Sequence, residues 1–201
     1  ADIGPKKSYV KYQGRIRGEE FSDYTYNYSG DAGETVSTTV VYYYGTGLRA
    51  SSAKDLYPGS KAMYISEVYN TSTIPASYTG TDIAANLKSR TYYFGYKGDE
   101  LADVSHNILI NSSGSREVKD TTQHSYVTTA GGIKTDVLDY TTTYKGGTIS
   151  NSLASVGPAK SYTKYQGNLR GEELADYLLN YSGTGTNVSI TTVYYYGATQ
   201  Q

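Results

Sequence analysis

Residues 23–29 (DYTYNYS) alternate without exception, so an extended backbone places Tyr24, Tyr26 and Tyr28 on one face and polar side chains on the other. That is the pattern of a half-buried β-strand. Residues 35–44 and 188–196 carry β-branched and aromatic side chains in strand-length runs, and each run follows a turn-forming loop of hairpin length, SGDAGE and SGTGTN. Further strands are predicted at 61–69, 91–94, 104–111, 116–128 and 136–144, with 104–111 and 116–128 closing a hairpin around Ser113, Gly114 and Ser115. Pro58 and Pro75 fall at turns or strand starts, where a missing N–H costs least. Residues 82–88 (DIAANLK) are the best helical segment, and they make only about two turns.

A punctuation runs under these strands. Tyr-x-Gly recurs with its glycine at 14, 30, 45, 59, 80, 95, 146, 167, 183 and 197, and Gly114 and Gly131 fill the long gap more weakly. One strand and one turn fit each interval, since a strand of eight to ten residues leaves a handful for the turn and glycine accepts the positive φ that tyrosine resists. Two architectures satisfy this spacing: an antiparallel meander of hairpins, or a β-solenoid with one rung per Tyr-x-Gly. Either is a quasi-one-dimensional body.

A longer period lies above it. Residues 8–30 (SYVKYQGRIRGEEFSDYTYNYSG) return as 161–183 (SYTKYQGNLRGEELADYLLNYSG) with 16 of 23 positions identical, and VVYYYG ending at Gly45 returns as TVYYYG ending at Gly197. The offset is 153 residues, so the expected organisation is one unit over 1–153, built of about nine strand-plus-turn segments, and the start of the next over 154–201. On this reading the chain begins and ends inside a longer periodic sequence. Glycine and serine are spread at the turn spacing, and no flexible linker is predicted.

Composition sharpens the class to all-β. The chain has 25 Tyr against two Phe and no Trp, so most of its large side chains carry a hydroxyl that must find a partner or reach water. Net charge is −1 with both signs interspersed, which leaves no electrostatic footprint for nucleic acid. No apolar run reaches the roughly 18 residues of a membrane helix, so neither nucleic acid nor membrane insertion is expected. The absence of cysteine excludes disulfides and thiolate metal sites.

Candidate chemistry is sparse. A Gly-Asp/Glu-Glu phrase ending in Asp occurs three times and gathers Glu19, Glu20 and Asp23; Asp99, Glu100 and Asp103; and Glu172, Glu173 and Asp176. Three carboxylates within five residues are a calcium candidate, although the phrase lacks the carboxylate ladder of known calcium loops. The competing reading is a solvated turn with ion pairs to Arg15, Arg17 or Arg170. Asn27, Asn70, Asn111, Asn180 and Asn187 match the N-glycosylation acceptor pattern, and are equally good turn formers. Tyr42, Tyr43 and Tyr44, with Tyr194, Tyr195 and Tyr196, are candidates for an aromatic ladder serving sheet pairing, lateral contacts or carbohydrate. His106 and His124 fall in strands expected to pair, with no ligand cluster around them, and no nucleophile, phosphate loop or triad order is present. No catalytic residue is assigned.

Read side by side, YYYG-TGLRASSAKD, YFG-YKGDELADV and YQG-NLRGEELADY resemble the tyrosine-rich "YYYG…LRA" repeats of very large secreted or surface proteins of environmental bacteria. The resemblance covers residues 8–45 and 161–197 strictly and the rest loosely. It implies an extracellular or cell-surface, repetitive and non-enzymatic protein. The expectation is therefore a structural segment of an extracellular filament, stalk or fibril, held by strand pairing and tyrosine packing and carrying covalent glycans. Its partners would be copies of itself or the continuation of the same repeat chain. A cell-surface adhesin or carbohydrate-binding module using exposed tyrosine rows is the alternative.

Overall fold

The computed structural model describes residues 5–15, 17–30, 35–53, 62–80 and 82–196. They form one open antiparallel sheet of twelve strands. In order these are β1 (Ser8–Gln13), β2 (Phe21–Ser29), β3 (Thr35–Tyr44), β4 (Leu48–Arg49), β5 (Met63–Tyr69), β6 (Leu87–Phe94), β7 (Leu101–Ile110), β8 (Arg116–Thr128), β9 (Lys134–Lys145), β10 (Ala159–Gln166), β11 (Leu174–Ser182) and β12 (Asn187–Val193). Each strand pairs with the one before it, except that two-residue β4 folds back on β3 and leaves β5 as the next neighbour. Chain neighbours running antiparallel make this the hairpin meander, and the solenoid alternative, which stacks its rungs in parallel, is set aside.

Residues 82–88 are not helical. They form a turn with Asn86 at φ 63°, and Leu87 already opens β6. Two turns have little stability of their own, and here the sheet claims Leu87 for its core. The helix described is a single turn, α1 (Ala50–Ala53), which seats Ala50 and Ala53 against Phe21 and Tyr44. The turn expected at Tyr57, Pro58 and Gly59, the tip of the first hairpin loop at 31–34, and Gly197 lie outside the described residues.

The two sheet faces differ in what covers them. On one face, cross-strand rows run Tyr24, Val41, Glu67, Arg90, His106, Thr121, Tyr144 and, beside it, Tyr43, Ile65, Tyr92, Val104, Gln123, Thr142, Tyr162. Segment 70–86 lays Ile74, Tyr78, Ile83 and Ala84 over the first part of these rows, and Ile149 of segment 146–158 joins the same core. Side chains tie the first segment down: Thr39 Oγ1 donates to Thr71 O at 2.5 Å, Arg49 to Pro75 O at 2.6 Å and Arg90 to Gly80 O at 2.5 Å. The opposite face carries small hydroxyl side chains bonded across strands, among them Thr91 to Ser105 at 3.1 Å and Thr122 to Thr143 at 2.9 Å. These are the cross-strand pairs that stabilise a sheet.

The internal copy extends to the pairing. β1 on β2 and β10 on β11 have the same register, from Ser8↔Asn27 and Ser161↔Asn180 onward, with the same β-bulge between Lys11 and Tyr12 and between Lys164 and Tyr165. The β2–β3 and β11–β12 pairs agree as well, with the shift after Asn27 and after Asn180. Closely similar sequence therefore gives the same irregularities, as expected when a bulge is a designed feature.

Candidate functional site

The carboxylate phrase is a turn-and-bulge device. In each copy the second glutamate accepts the N–H of the phrase's own glycine: Glu20 from Gly18 at 2.6 Å, Glu100 from Gly98 at 3.0 Å and Glu173 from Gly171 at 2.7 Å. The Tyr-x-Gly glycine lies under that glutamate. A Cβ on Gly95 would meet Asp99 O at 2.8 Å, and Gly95 has φ +111° besides, so only glycine fits. The closing aspartate, Asp23, Asp103 or Asp176, is the extra residue where register shifts on β2, β7 and β11.

In two of the three turns the glutamate does more. Glu100 also accepts Met63 N–H at 2.9 Å and Glu173 accepts Leu138 N–H at 2.9 Å, each beside a bulge on a strand one beyond the nearest neighbour. Partial burial pushes the Glu173 carboxyl up, but the N–H groups of Leu138, Glu173 and Gly171, with Arg170, outweigh it and hold it below the ordinary range. The remaining carboxylates disperse. Asp23 pairs with Arg49 at 2.6 Å, Asp176 accepts from Gln166 at 2.8 Å, Asp99 lies 3.6 Å from Arg170, and Glu19 and Glu172 are exposed. Among the described residues no three acidic or histidine side chains converge as a metal cluster would require.

The centre of the covered face holds a polar knot that the sequence reading did not name. Glu67 on β5 and Arg90 on β6 are directly opposite and fully buried, with Arg90 Nε donating to Glu67 Oε1 at 2.7 Å. Tyr69 donates its hydroxyl to the other carboxylate oxygen, while Arg90 reaches Asp82 O at 3.3 Å and lies 4.8 Å from the Tyr78 ring. The signal was present: both charges sit in phase with Ile65, Tyr69 and Tyr92, the inward positions of their strands. Beside them the Tyr43 hydroxyl is buried next to Glu67 and Tyr69 without a well-formed hydrogen bond, and burial, with the Glu67 charge next, pushes its pKa up.

His106 and His124 do lie in paired strands, and their roles are local. His106 is buried with Nε2 at 2.7 Å from Ser150 O and Nδ1 at 3.0 Å from Thr121 Oγ1, anchoring segment 146–158 to the sheet. Burial lowers its pKa, and the Arg90 charge lowers it further against the pull of Ser150 O. His124 Nε2 meets Ser105 Oγ at 3.2 Å and borders a depression of about 540 Å³ lined with Gln123, Tyr126, Lys134 and Tyr140.

The acceptor asparagines divide. Asn111 folds its amide oxygen onto the N–H groups of Ser113 and Ser115, at 3.1 and 2.9 Å, and so serves as a turn former. Asn27 donates to Thr38 Oγ1 at 3.1 Å within the sheet, Asn180 is half-buried on β11, and Asn70 and Asn187 are exposed.

The tyrosine triplets do not form a common ladder, because they sit on β3 and just past β12, far apart in the strand order. Tyr43 packs on Tyr78 at 5.6 Å and Tyr44 edge-on to Phe21 at 4.9 Å, while Tyr42 bonds Thr25 at 3.2 Å. Longer runs of adjoining rings are Tyr9, Tyr24, Tyr26 and Tyr28 toward one end, and Tyr140, Tyr162 and Tyr177 toward the other.

The sharpest contrast in the molecule lies between the two copies. Val41 and Tyr43 are fully buried, whereas their counterparts Val193 and Tyr195 are 48% and 90% exposed. The first copy has β5 and segment 70–86 against it; in the second, the β12 edge is unpaired among the described residues. Val188 is exposed on the same face, and Ile190, Tyr194 and Tyr196 are exposed on the opposite one. At the opposite end β1 leaves its outer edge unpaired among the described residues. No protein-family model matches this chain, and no curated protein or solved structure does either.

Proposed function

We propose that this protein is a structural segment of an extracellular filament or stalk that lengthens by adding strands to an open sheet. The observation that carries the reading is the exposure of Val193, Tyr195 and Tyr196 at positions whose first-copy equivalents are buried by the chain that follows β3, namely β5, segment 70–86 and, at Tyr44, α1. Such an edge is a template for another chain segment. Glu20, Glu100, Glu173 and His106 are consistent with the same reading, since they serve turns, bulges and a loop anchor. Organisation into a 153-residue unit over 1–153 with a second beginning at 154 belongs to this proposal, as do surface localisation and glycans at Asn70 or Asn187, the exposed acceptor sites.

Negative-stain images of native material test it. Fibres of constant width are expected, and removal of residues 184–201 abolishes them. Discrete monomers that bind immobilised glycans would replace this reading with the adhesin, and fibres unchanged by the deletion would refute assembly through β12.

A further inference from the structure

β10 and the turn that follows it are held on the strands before them by four side-chain contacts besides the backbone ladder, three to β9 and one, through Asp120, to β8. Lys160 Nζ meets Asp120 at 2.5 Å, Lys164 Nζ pairs with Asp139, Tyr162 stacks on Tyr140 at 5.2 Å, and the carboxylate of Glu173 in the turn after β10 accepts Leu138 N–H at 2.9 Å. Subtracting the 153-residue offset places Lys7, Lys11, Tyr9 and Glu20 at the same four positions on and after β1. Side-chain chemistry is retained at every one, and β1 keeps the β10 register and bulge toward its inner neighbour. Yet Lys7 and Lys11 have no ion pair among the described residues, and Glu20 bonds only its own Gly18. Lys7, Tyr9 and Lys11 are exposed.

Half of a known interface is therefore present without its other half. Solvated lysines need no fixed spacing, and the turn is complete once Gly18 is bound, so stability of β1 alone does not call for this set. We propose that the outer edge of β1 is a docking site for an antiparallel strand of the β9 kind, the terminal strand of another unit with the pattern of residues 138–144 (LDYTTTY). This rests on the filament reading above and specifies its joint. The register follows from β9 on β10: Ser8 opposite Thr143, Tyr9 opposite Thr142, Val10 opposite Thr141 and Lys11 opposite Tyr140 of the incoming strand. Lys11 meets the bulged Asp139, Tyr9 stacks on Tyr140, and Glu20 receives the N–H of Leu138.

The test is a single chain in which residues 1–153 are joined ahead of the complete protein, followed by hydrogen exchange. Amides of the second unit's residues 8–13 that face away from β2 are expected to be protected at least about a hundredfold over the same amides in the protein alone. Lys11→Glu in the second unit reduces that protection, and adding Asp139→Lys in the first restores it. Exchange at the rate of the unextended protein overturns the proposal, as does protection indifferent to both charge changes. Native fibres that form although these amides stay unprotected would keep the structural role and eliminate this joint alone.

Discussion

Replacing Arg90 with methionine tests whether the covered face is organised as described. The change removes the guanidinium from a fully buried partner, leaving the Glu67 carboxylate with Tyr69 alone, and frees Gly80 O and Asp82 O of segment 70–86. Breaking one side of a buried pair costs about 3–5 kcal/mol, because an uncompensated charge remains in a low-dielectric site. Glu67→Leu exposes the converse fault and belongs in the same range. The double variant removes both charges, so its loss should fall well short of the two single losses combined, by at least about 2 kcal/mol. The Gly80 carbonyl, left without the guanidinium, keeps it below the parent protein, while Asp82 O retains the Thr79 hydroxyl. Guanidinium unfolding followed by far-UV circular dichroism measures all four proteins, and hydrogen exchange at residues 79–82 reports the loosened segment. Single variants each costing under about 1 kcal/mol, or a strictly additive double, would refute a desolvated pair at the centre of this face.

Three other outcomes follow from named contacts. His106 is held neutral by burial, so the unfolded chain binds its proton first, near the ordinary pKa of about 6.5. Its contribution is full above that pH and is lost as pH falls, at up to about 1.4 kcal/mol per unit; denaturant midpoints from pH 7.5 to 5.5 should slope this way and flatten in His106→Asn, and an unchanged slope in the variant would contradict it. Glu100→Ala removes acceptors from both Gly98 and Met63 and should cost about 1–3 kcal/mol, whereas Glu20→Ala, which serves Gly18 alone, should cost less; equal midpoints for the two variants would argue against the cross-strand bond. Tyr43→Phe deletes a buried hydroxyl without a well-formed hydrogen bond and should be neutral or stabilising by up to about 1 kcal/mol, so a loss above that in the same denaturation assay would count against the contact geometry.

Much of this architecture was readable in the letters because the meander is local. Strict alternation in 23–29 puts Tyr24 and Tyr26 on one face, and the strand-forming run 116–128 coincides with β8 over its full length. Hairpins need only a turn and two phased runs. What escaped were features set by sequence-distant packing. Residues 82–88 have helical composition, yet Leu87 is needed opposite Tyr69. The repeated acidic phrase looked like ligand chemistry because a bulge, which gives Asp23, Asp103 and Asp176 their places, leaves no periodic mark. The Glu67–Arg90 pair was legible in phase but required knowing that β5 and β6 are neighbours despite the 17 intervening residues.

The placement of β1 and β12 at opposite ends of the sheet has a mechanical corollary. Eleven strands spaced about 4.8 Å apart separate them by roughly 48 Å along the sheet, while the 186 residues from Ser8 to Val193 reach roughly 650 Å when drawn straight. Tension applied across those ends acts along the interstrand bonds and opens them in sequence, like a zip, instead of shearing a whole strand at once. Under load the molecule would pay out slack one hairpin after another, making it a yielding tether rather than a rigid strut.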